Sequence, residues 1–415
     1  MAPDPDPESL EAESAGTIVP AFDFRVDFAA VSVKGEGRKT NQDSLRCVPE
    51  LGLFIIADGM GGHAAGEVAS SLAIDEVEKA LSAEATRQIV EDYAREPNVE
   101  GRRLIYRCLE EAARRANEAV ISAGEEDQTR HGMGTTLDFV LLVRDRAFFA
   151  HVGDSRAYLV RPTITLQLTH DHAAYDSLRT SGKRMPTRMV RSPLSNSIGH
   201  RKKLKVDTLF VDLATRDRIV LCTDGVFDVY DEERTLGQAM RKGPVAEVSQ
   251  RLARLARKRG PADDTTAITI AVRRRFAKRP ADAGPRARDI QTLAASPLLD
   301  GLETAYVLST LTAGVEVDVK KGEEVPRAVA NDRVAYVIID GMVELPNGRT
   351  LGPSGLLMAE SLLDVARRGK LPKVTNDARL LRIRQTDFEE VCAHNTGLAA
   401  ELYKRIARHL ASLQG

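Results

Sequence analysis

LFIIADGMGGH, residues 53–63, reads as a buried strand that ends in a carboxylate. Leu53 to Ala57 are apolar without a break, and Asp58 then precedes Gly59. An unbroken apolar run of strand length fits a strand covered on both faces, and Asp-Gly marks the turn that closes it. IVLCTDG, residues 219–225, repeats the arrangement with Asp224 before Gly225. Asp43 closes RKTNQD (38–43), and Asp263 lies in GPADDTTAITI (260–270), so two more acids occupy turn-like contexts. Carboxylates at strand tips, with no His or Cys beside them, favour hard cations such as Mg²⁺ or Mn²⁺ over Zn²⁺ or copper. Several carboxylates that need such ions to offset their own repulsion point to metal-assisted hydrolysis.

Around these four acids the chain is long enough, at 415 residues, for two domains. Lys plus Arg number 59 against 60 for Asp plus Glu, which excludes a general nucleic-acid or membrane-surface binder. Cys47, Cys108, Cys222 and Cys392 are widely spaced with no CxxC pair, and read as reduced thiols of a cytoplasmic protein. No apolar run approaches the roughly 20 residues that span a bilayer. The opening segment 1–21 is acidic and Pro-rich, lacks the features of a signal peptide, and is expected to be a disordered tail.

Between residues 22 and 273, short apolar runs alternate with helical stretches. Leu53–Ala57, Asp138–Val143, Ala147–Val152 and Arg218–Cys222 have strand length, while Ala65–Leu81 and Gly101–Ala123 carry helical apolar spacing. Residues 138–152 read as a hairpin about Arg144-Asp145-Arg146, followed by a turn at Gly153-Asp154. Hairpins with helices in separate blocks predict an α+β layered fold. The basic stretch 274–290, rich in Pro, Ala and Gly, reads as a linker. Beyond it, in 291–415, strand-like runs at Val315–Val319, Val334–Ile339 and Arg379–Ile383 are separated by turn signals. Those signals are Lys321-Gly322, Asp340-Gly341, Asn347-Gly348 and Gly352-Pro353, and they predict a small antiparallel β-roll closed by a helix over Thr396–Leu413.

Seven motifs, in order RKTNQDS, ADGMGGHAAGEVAS, GMGTTL, HVGDSRAYLVR, LTHDH, CTDGVFD and GPADDTTAI, resemble the bacterial metal-dependent (type 2C) serine/threonine protein phosphatases over roughly residues 28–272. The resemblance implies a β-sandwich flanked by helices and hydrolysis of phosphoserine and phosphothreonine in proteins, the products of a serine/threonine kinase. It implies two Mg²⁺ or Mn²⁺ ions bridged by Asp58, one of them also held by the Gly59 carbonyl, with Asp43, Asp224 and Asp263 completing the set. Asp154 resembles the ligand of a third ion, and Arg38 would hold the phosphate. A pseudophosphatase that keeps the fold to bind partners is the alternative. Met60 stands where some relatives have a histidine proposed as general acid, and His63, three residues on, is not given that role. Asp264 replaces a common asparagine and is expected to face solvent, or else to touch a metal-bound water. Thr135 and Thr136 are expected to pack near the metals, and His151, His170 and His172 to be structural. Ser155 has no base beside it and is no nucleophile. Residues 177–206 hold nine Lys and Arg and no acid, with Arg184 and Arg188 foremost, and would form a basic flap that steers phosphorylated substrates.

Ser296-Pro297-Leu298-Leu299, Lys321-Gly322-Glu323 and Ile339-Asp340-Gly341 resemble the cyclic-nucleotide-binding domains, over about residues 296–413. In the stretch matching that family's phosphate cassette, Gly355 and Glu360 are not adjacent, and Lys373 stands where an arginine belongs. A buried phosphate without a guanidinium is costly, so a degenerate module for dimerisation or protein docking is expected. Arg367 and Arg368 are the other cations in reach.

Overall fold

The computed structural model describes residues 14–18, 24–60, 65–161, 165–172, 194–230, 233–258, 263–275, 289–302, 304–311, 313–329, 332–363, 365, 369–394 and 396–413. The chain forms two compact units, Met1–Lys278 and Arg279–Gly415.

In the first unit two antiparallel sheets form a sandwich. One runs β10 (Asp207–Asp212), β7 (Arg146–Val152), β6 (Leu137–Val143), β4 (Leu53–Met60), β3 (Asp43–Val48), with the short β5 (Gly134–Thr135) beside the end of β4. The other runs β1 (Ser14–Ile18), β2 (Phe24–Val33), β12 (Thr265–Arg275), β11 (Arg218–Cys222), β8 (Arg156–Val160), β9 (Thr165–Gln167). The unbroken apolar run of β4 has two destinations. Leu53, Ile55 and Ala57 join the core under α1 (Ala65–Ser82), α2 (Glu84–Arg95) and α3 (Val99–Glu126). Phe54 faces the other sheet, meeting Phe28 edge to face at 5.3 Å. The second sheet is covered outside by the short α4 (Asp224–Phe227), α5 (Glu233–Arg241) and α6 (Val245–Lys258), through Val226, Phe227, Leu236, Met240, Val248 and Leu252. This is the α+β sandwich flanked by helices that the motifs imply.

Three boundaries differ from the sequence reading. β1 lies inside the segment expected to be a disordered tail, and its backbone pairs with β2 from Ser14↔Ala30 to Ile18↔Val26. A strand at a sheet edge gains its ladder from its neighbour, so it needs little apolar pattern of its own. β12 also continues to Arg275, two residues into the stretch read as linker. Helix α7 (Ile290–Ala294) starts on that stretch's last residue.

The second unit is a sheet ordered β13 (Gly314–Val319), β18 (Lys373–Arg384), β15 (Asp332–Glu344), β14 (Ala328–Val329), with β16 (Thr350–Leu351) and β17 (Leu356–Leu357) also on β15. It carries the helices α8 (Thr304–Leu311), α9 (Gln385–His394) and α10 (Thr396–Ser412). Asp340-Gly341 is not a turn between strands. It lies within β15, where the register against β18 shifts at Asp340 and again at Met342. Gly341 has φ +93, and a Cβ there would sit 2.6 Å from the Ala378 Cα, so the glycine absorbs a β-bulge rather than ending the strand. Among the described residues no helix is long and apolar enough to cross a membrane.

Candidate metal centre

The register of β3 on β4 places Asp43 directly opposite Asp58. Directly paired residues share one face of the sheet with Cβ atoms roughly 5 Å apart, a spacing at which like charges repel. Asp43 is 7% exposed, and its Oδ1 is buried with no hydrogen-bond partner. Its Oδ2 accepts from the Thr223 hydroxyl at 2.9 Å. That hydroxyl also accepts the Thr266 amide at 3.0 Å, so Thr223 ties β3 to β12 instead of capping α4. Burial pushes Asp43 up to about 7; hydrogen bonds from Thr266 and Thr223 oppose the shift, and Asp264 and Asp263 add to it.

Asp58 is set by its backbone. Its amide donates to Thr136 Oγ1 at 2.9 Å, and its carbonyl accepts from Thr135 Oγ1 and from the Thr136 amide, each at 2.9 Å. Both threonines therefore pack at the site, as expected of them. Burial raises Asp58 well above the carboxylate range, and Asp43, Asp224, Asp263 and Asp154 raise it further, in that order. All four acids lie close enough to oppose its charge. Next to it, a Cβ on Gly59 would fall 2.1 Å from the Gly66 carbonyl oxygen and 2.5 Å from that of Gln42, so only glycine fits.

Asp224 is the first residue of α4, with one residue, Thr223, between it and the end of β11. Asp263 precedes β12, accepts the Asp264 amide at 2.8 Å, and pairs with Arg38 Nη2. Arg38 is 30% exposed at the side chain and also donates through Nη1 to Asp264 at 2.9 Å. Asp264 departs from the expectation that it faces solvent. It is 1% exposed and takes three donors: the Gly35 amide at 2.8 Å, Arg38 Nη1, and the Gln42 amide at 2.8 Å. It therefore shapes the loop that presents Arg38.

Asp154 follows Gly153, which has φ +119 and would drive a Cβ to 2.7 Å from Thr136. His172 clamps that glycine: its amide donates to the Gly153 carbonyl at 2.7 Å, and its Nδ1 accepts the Gly153 amide at 3.1 Å. His172 Nε2 donates to Asp207 at 2.9 Å, and burial lowers the ring to about 4. His151, its ring centroid 4.7 Å away, places both nitrogens against acceptors, Asp138 Oδ1 and the His170 carbonyl, each at 2.8 Å. With both nitrogens donating the ring is an imidazolium; burial opposes that charge, and Asp138, joined by Asp207 and Asp171, raises the ring to about 9 despite it. These histidines are structural, as the sequence reading had them. Arg184, Arg188 and His63, like Arg367 and Arg368 of the second unit, lie outside the described residues.

The sequence reading missed Gln42, Thr223, Asp138 and Asp207, polar residues whose partners lie far along the chain. For Thr223 a signal existed: a β-branched hydroxyl residue between a buried strand and Asp-Gly.

Divalent cations fit this site. It offers hard oxygen donors only, an orphaned buried oxygen on Asp43, mutually repelling carboxylates, and a side-chain-free backbone at Gly59. Among the described residues, no three of the His, Cys, Asp or Glu side chains close on one point to cage an ion. Backbone and solvent oxygens would have to complete the shell, which Mg²⁺ and Mn²⁺ accept.

Comparison with known proteins agrees. The serine/threonine protein phosphatase PstP of Mycobacterium tuberculosis is 34% identical over 250 residues, which cover 59% of this chain and 45% of that protein. The chain thus spans about half the length of that relative. The protein phosphatase PhpP of Streptococcus pneumoniae is 28% identical over 248 residues, 57% of this chain and 94% of its own. The crystal structure of M. tuberculosis PstP/Ppp superposes with a TM-score of 0.51 at 30% identity, over 60% of this chain and 99% of that one. Stp1 from Staphylococcus aureus gives 0.53 at 25%, over 62% and 98%. The protein phosphatase 2C model matches residues 36–264, which run from the Arg38 loop to Asp264, and the chain belongs to that family.

Proposed function

We propose that this chain hydrolyses phosphoserine and phosphothreonine in proteins, using Mg²⁺ or Mn²⁺. The observation that carries the reading is the buried cross-strand pair Asp43–Asp58, with Asp224, Asp263 and Asp154 adding charge around it. Such a cluster is costly unless cations offset it. Asp43, Asp58, the Gly59 carbonyl, Asp224 and Asp263 would hold two ions, and Asp154 a third. Bound there, the ions supply an activated water and neutralise charge on the phosphoryl oxygens. Arg38, anchored from behind by Asp264, would hold the phosphate through paired N–H donors, with the phosphate competing against Asp263 for Nη2. Thr135 and Thr136 keep Asp58 at its post, and His172 keeps the Gly153–Asp154 turn.

The substrates are phosphorylated proteins, the setting is cytoplasmic, and neither nucleic acid nor membrane is a partner. The second unit serves as a degenerate cyclic-nucleotide-type module for dimerisation or docking; its antiparallel roll with closing helices supports this. Cyclic AMP or cyclic GMP should leave the melting temperature of the full chain unchanged.

Hydrolysis of p-nitrophenyl phosphate and of a phosphothreonine peptide, with Mn²⁺, Mg²⁺ or EDTA, tests the enzyme reading. Turnover should need metal and be abolished in Asp58→Asn. A folded protein silent under every metal would instead be a partner-binding member of the family.

A further inference from the structure

A cavity opens at the end of the sandwich away from the carboxylates. It measures 1280 Å³ and lies among the starts of β11, the end of β8, and helices α5 and α6. Arg218, on its wall, starts β11, and Asp224 follows the strand's far end; six residues at roughly 3.3 Å each separate the two by about 20 Å. No single phosphoryl group reaches both.

The cavity wall is strongly cationic. Two of its arginines are neutralised: Arg161 by Asp217, at 2.9 and 3.0 Å, and Arg273 by Asp27. Arg216, Arg218, Arg241, Lys242 and Arg251 also line it. Among the described residues, the hydrogen bonds of Arg218, Arg241 and Arg251 go to uncharged oxygens. Arg218 donates to the carbonyls of Met240 and Gly243, Arg251 to those of Ala239 and Lys242, and Arg241 to the Thr165 hydroxyl. Part of this caps the C-terminus of α5, but a helix end carries only about half a negative charge. Among the described residues the Glu247 carboxylate lies near Arg251, both beside Gly243, and the five cations still outnumber this counter-charge. Burial lowers the pKa of Arg218, and the nearby Arg273 and Arg251 lower it further, as expected of crowded guanidinium groups.

The backbone adds an independent sign. Arg216 holds φ +76 in the Ala214–Asp217 turn, a position where glycine or asparagine is the ordinary choice. A non-glycine residue kept in that conformation costs about 1–3 kcal/mol and marks a candidate functional position. Val160, Leu255 and Ala271 give the cavity an apolar floor, and the volume exceeds the roughly 300–1,000 Å³ of ordinary small-ligand pockets. A lone phosphate would leave it mostly empty.

We propose that this cavity is a second anion site, taking a free ligand that carries several linked phosphates, its organic part, if any, lying on the apolar floor. The site is separate from the metal centre and does not depend on turnover there.

Titration calorimetry of tripolyphosphate into the full chain in EDTA tests it, with wild type beside two variants. Arg216→Gly with Lys242→Ala removes two charges while relieving the turn, so the fold should survive. Arg38→Gln disables the other anion-binding place. Wild type and Arg38→Gln should bind alike, and the double variant about ten- to a hundredfold more weakly. Binding lost in Arg38→Gln, equal in all three proteins, or missing from wild type overturns the proposal. A peptide bearing two phosphoserines, added in excess, should fail to displace tripolyphosphate from Asp58→Asn; displacement would overturn the assignment to a free ligand.

Discussion

Arg38 and Asp264 are bonded, Nη1 to Oδ2 at 2.9 Å, and the same oxygen accepts the Gln42 amide at 2.8 Å. The other Asp264 oxygen takes the Gly35 amide at 2.8 Å, so one buried carboxylate gathers both ends of the 35–42 loop and its arginine. An amide in place of this carboxylate has one acceptor oxygen for donors on both sides. Asp264→Asn should therefore cost about 1–3 kcal/mol of stability and weaken phosphopeptide binding, read as a lower melting temperature and a raised KM.

The two neighbouring histidines, their rings tilted by 45°, predict opposite pH limbs. His151 is raised to about 9, so its contribution to stability is complete below its ordinary value of 6.5 and is lost as pH rises through about 9. His172 is lowered to about 4, so its contribution is complete above 6.5 and is lost as pH falls from there towards about 4. Melting curves across this range should show His151→Gln flattening the alkaline limb and His172→Gln the acid one. A shared shift independent of pH in both variants would contradict the assignment.

Metal removal should leave a protein that weakens as pH rises. Folded Asp43 holds its proton up to about 7, while its ordinary value is 3.8. The folded state is thus the more protonated one between those values, and stability is lost as pH rises through them. In EDTA the melting temperature should be lower at pH 8 than at pH 5, and Asp43→Asn should flatten that slope. Mn²⁺ at about a hundredfold over its Kd should restore about 2.7 kcal/mol, with more effect at pH 8 than at pH 5.

Gly225 and Gly37 should respond differently to alanine. A Cβ on Gly225 would lie 1.9 Å from the Asp264 carbonyl oxygen, which would force α4 and Asp224 away from the segment that leads into β12. Gly225→Ala should cost about 3 kcal/mol and abolish metal-dependent turnover. Gly37, at φ +80, has nothing within 4 Å of a Cβ, so Gly37→Ala should lose only about 1 kcal/mol to its backbone. Paired melting and activity measurements separate the two costs.

Local code made much of this protein legible in advance. An apolar run such as Leu53–Ala57 can be read without its neighbours, because burial on both faces is written into consecutive residues. Asp224-Gly225 could be read as following a strand end for the same reason, whereas Asp58-Gly59 does not close its strand: β4 runs on to Met60 and pairs Gly59 with Thr135. The edge strand Ser14–Ile18 and the bulge at Gly341 escaped, since each depends on a partner strand rather than on its own composition.

The sequence by itself determined the layered fold class, the family through the order of its motifs, and which acids are candidate ligands. These follow from residue type and short-range spacing. Only the tertiary structure decided that Asp43 stands opposite Asp58, that Thr223 donates to Asp43 across 180 positions, and that Asp264 closes on Gly35 across 229. It likewise gathered Arg216, Arg218, Lys242 and Arg251 around one cavity. Sheet register and strand order bring such residues together, and these are set by the pairing of whole strands, which no local stretch of chain encodes.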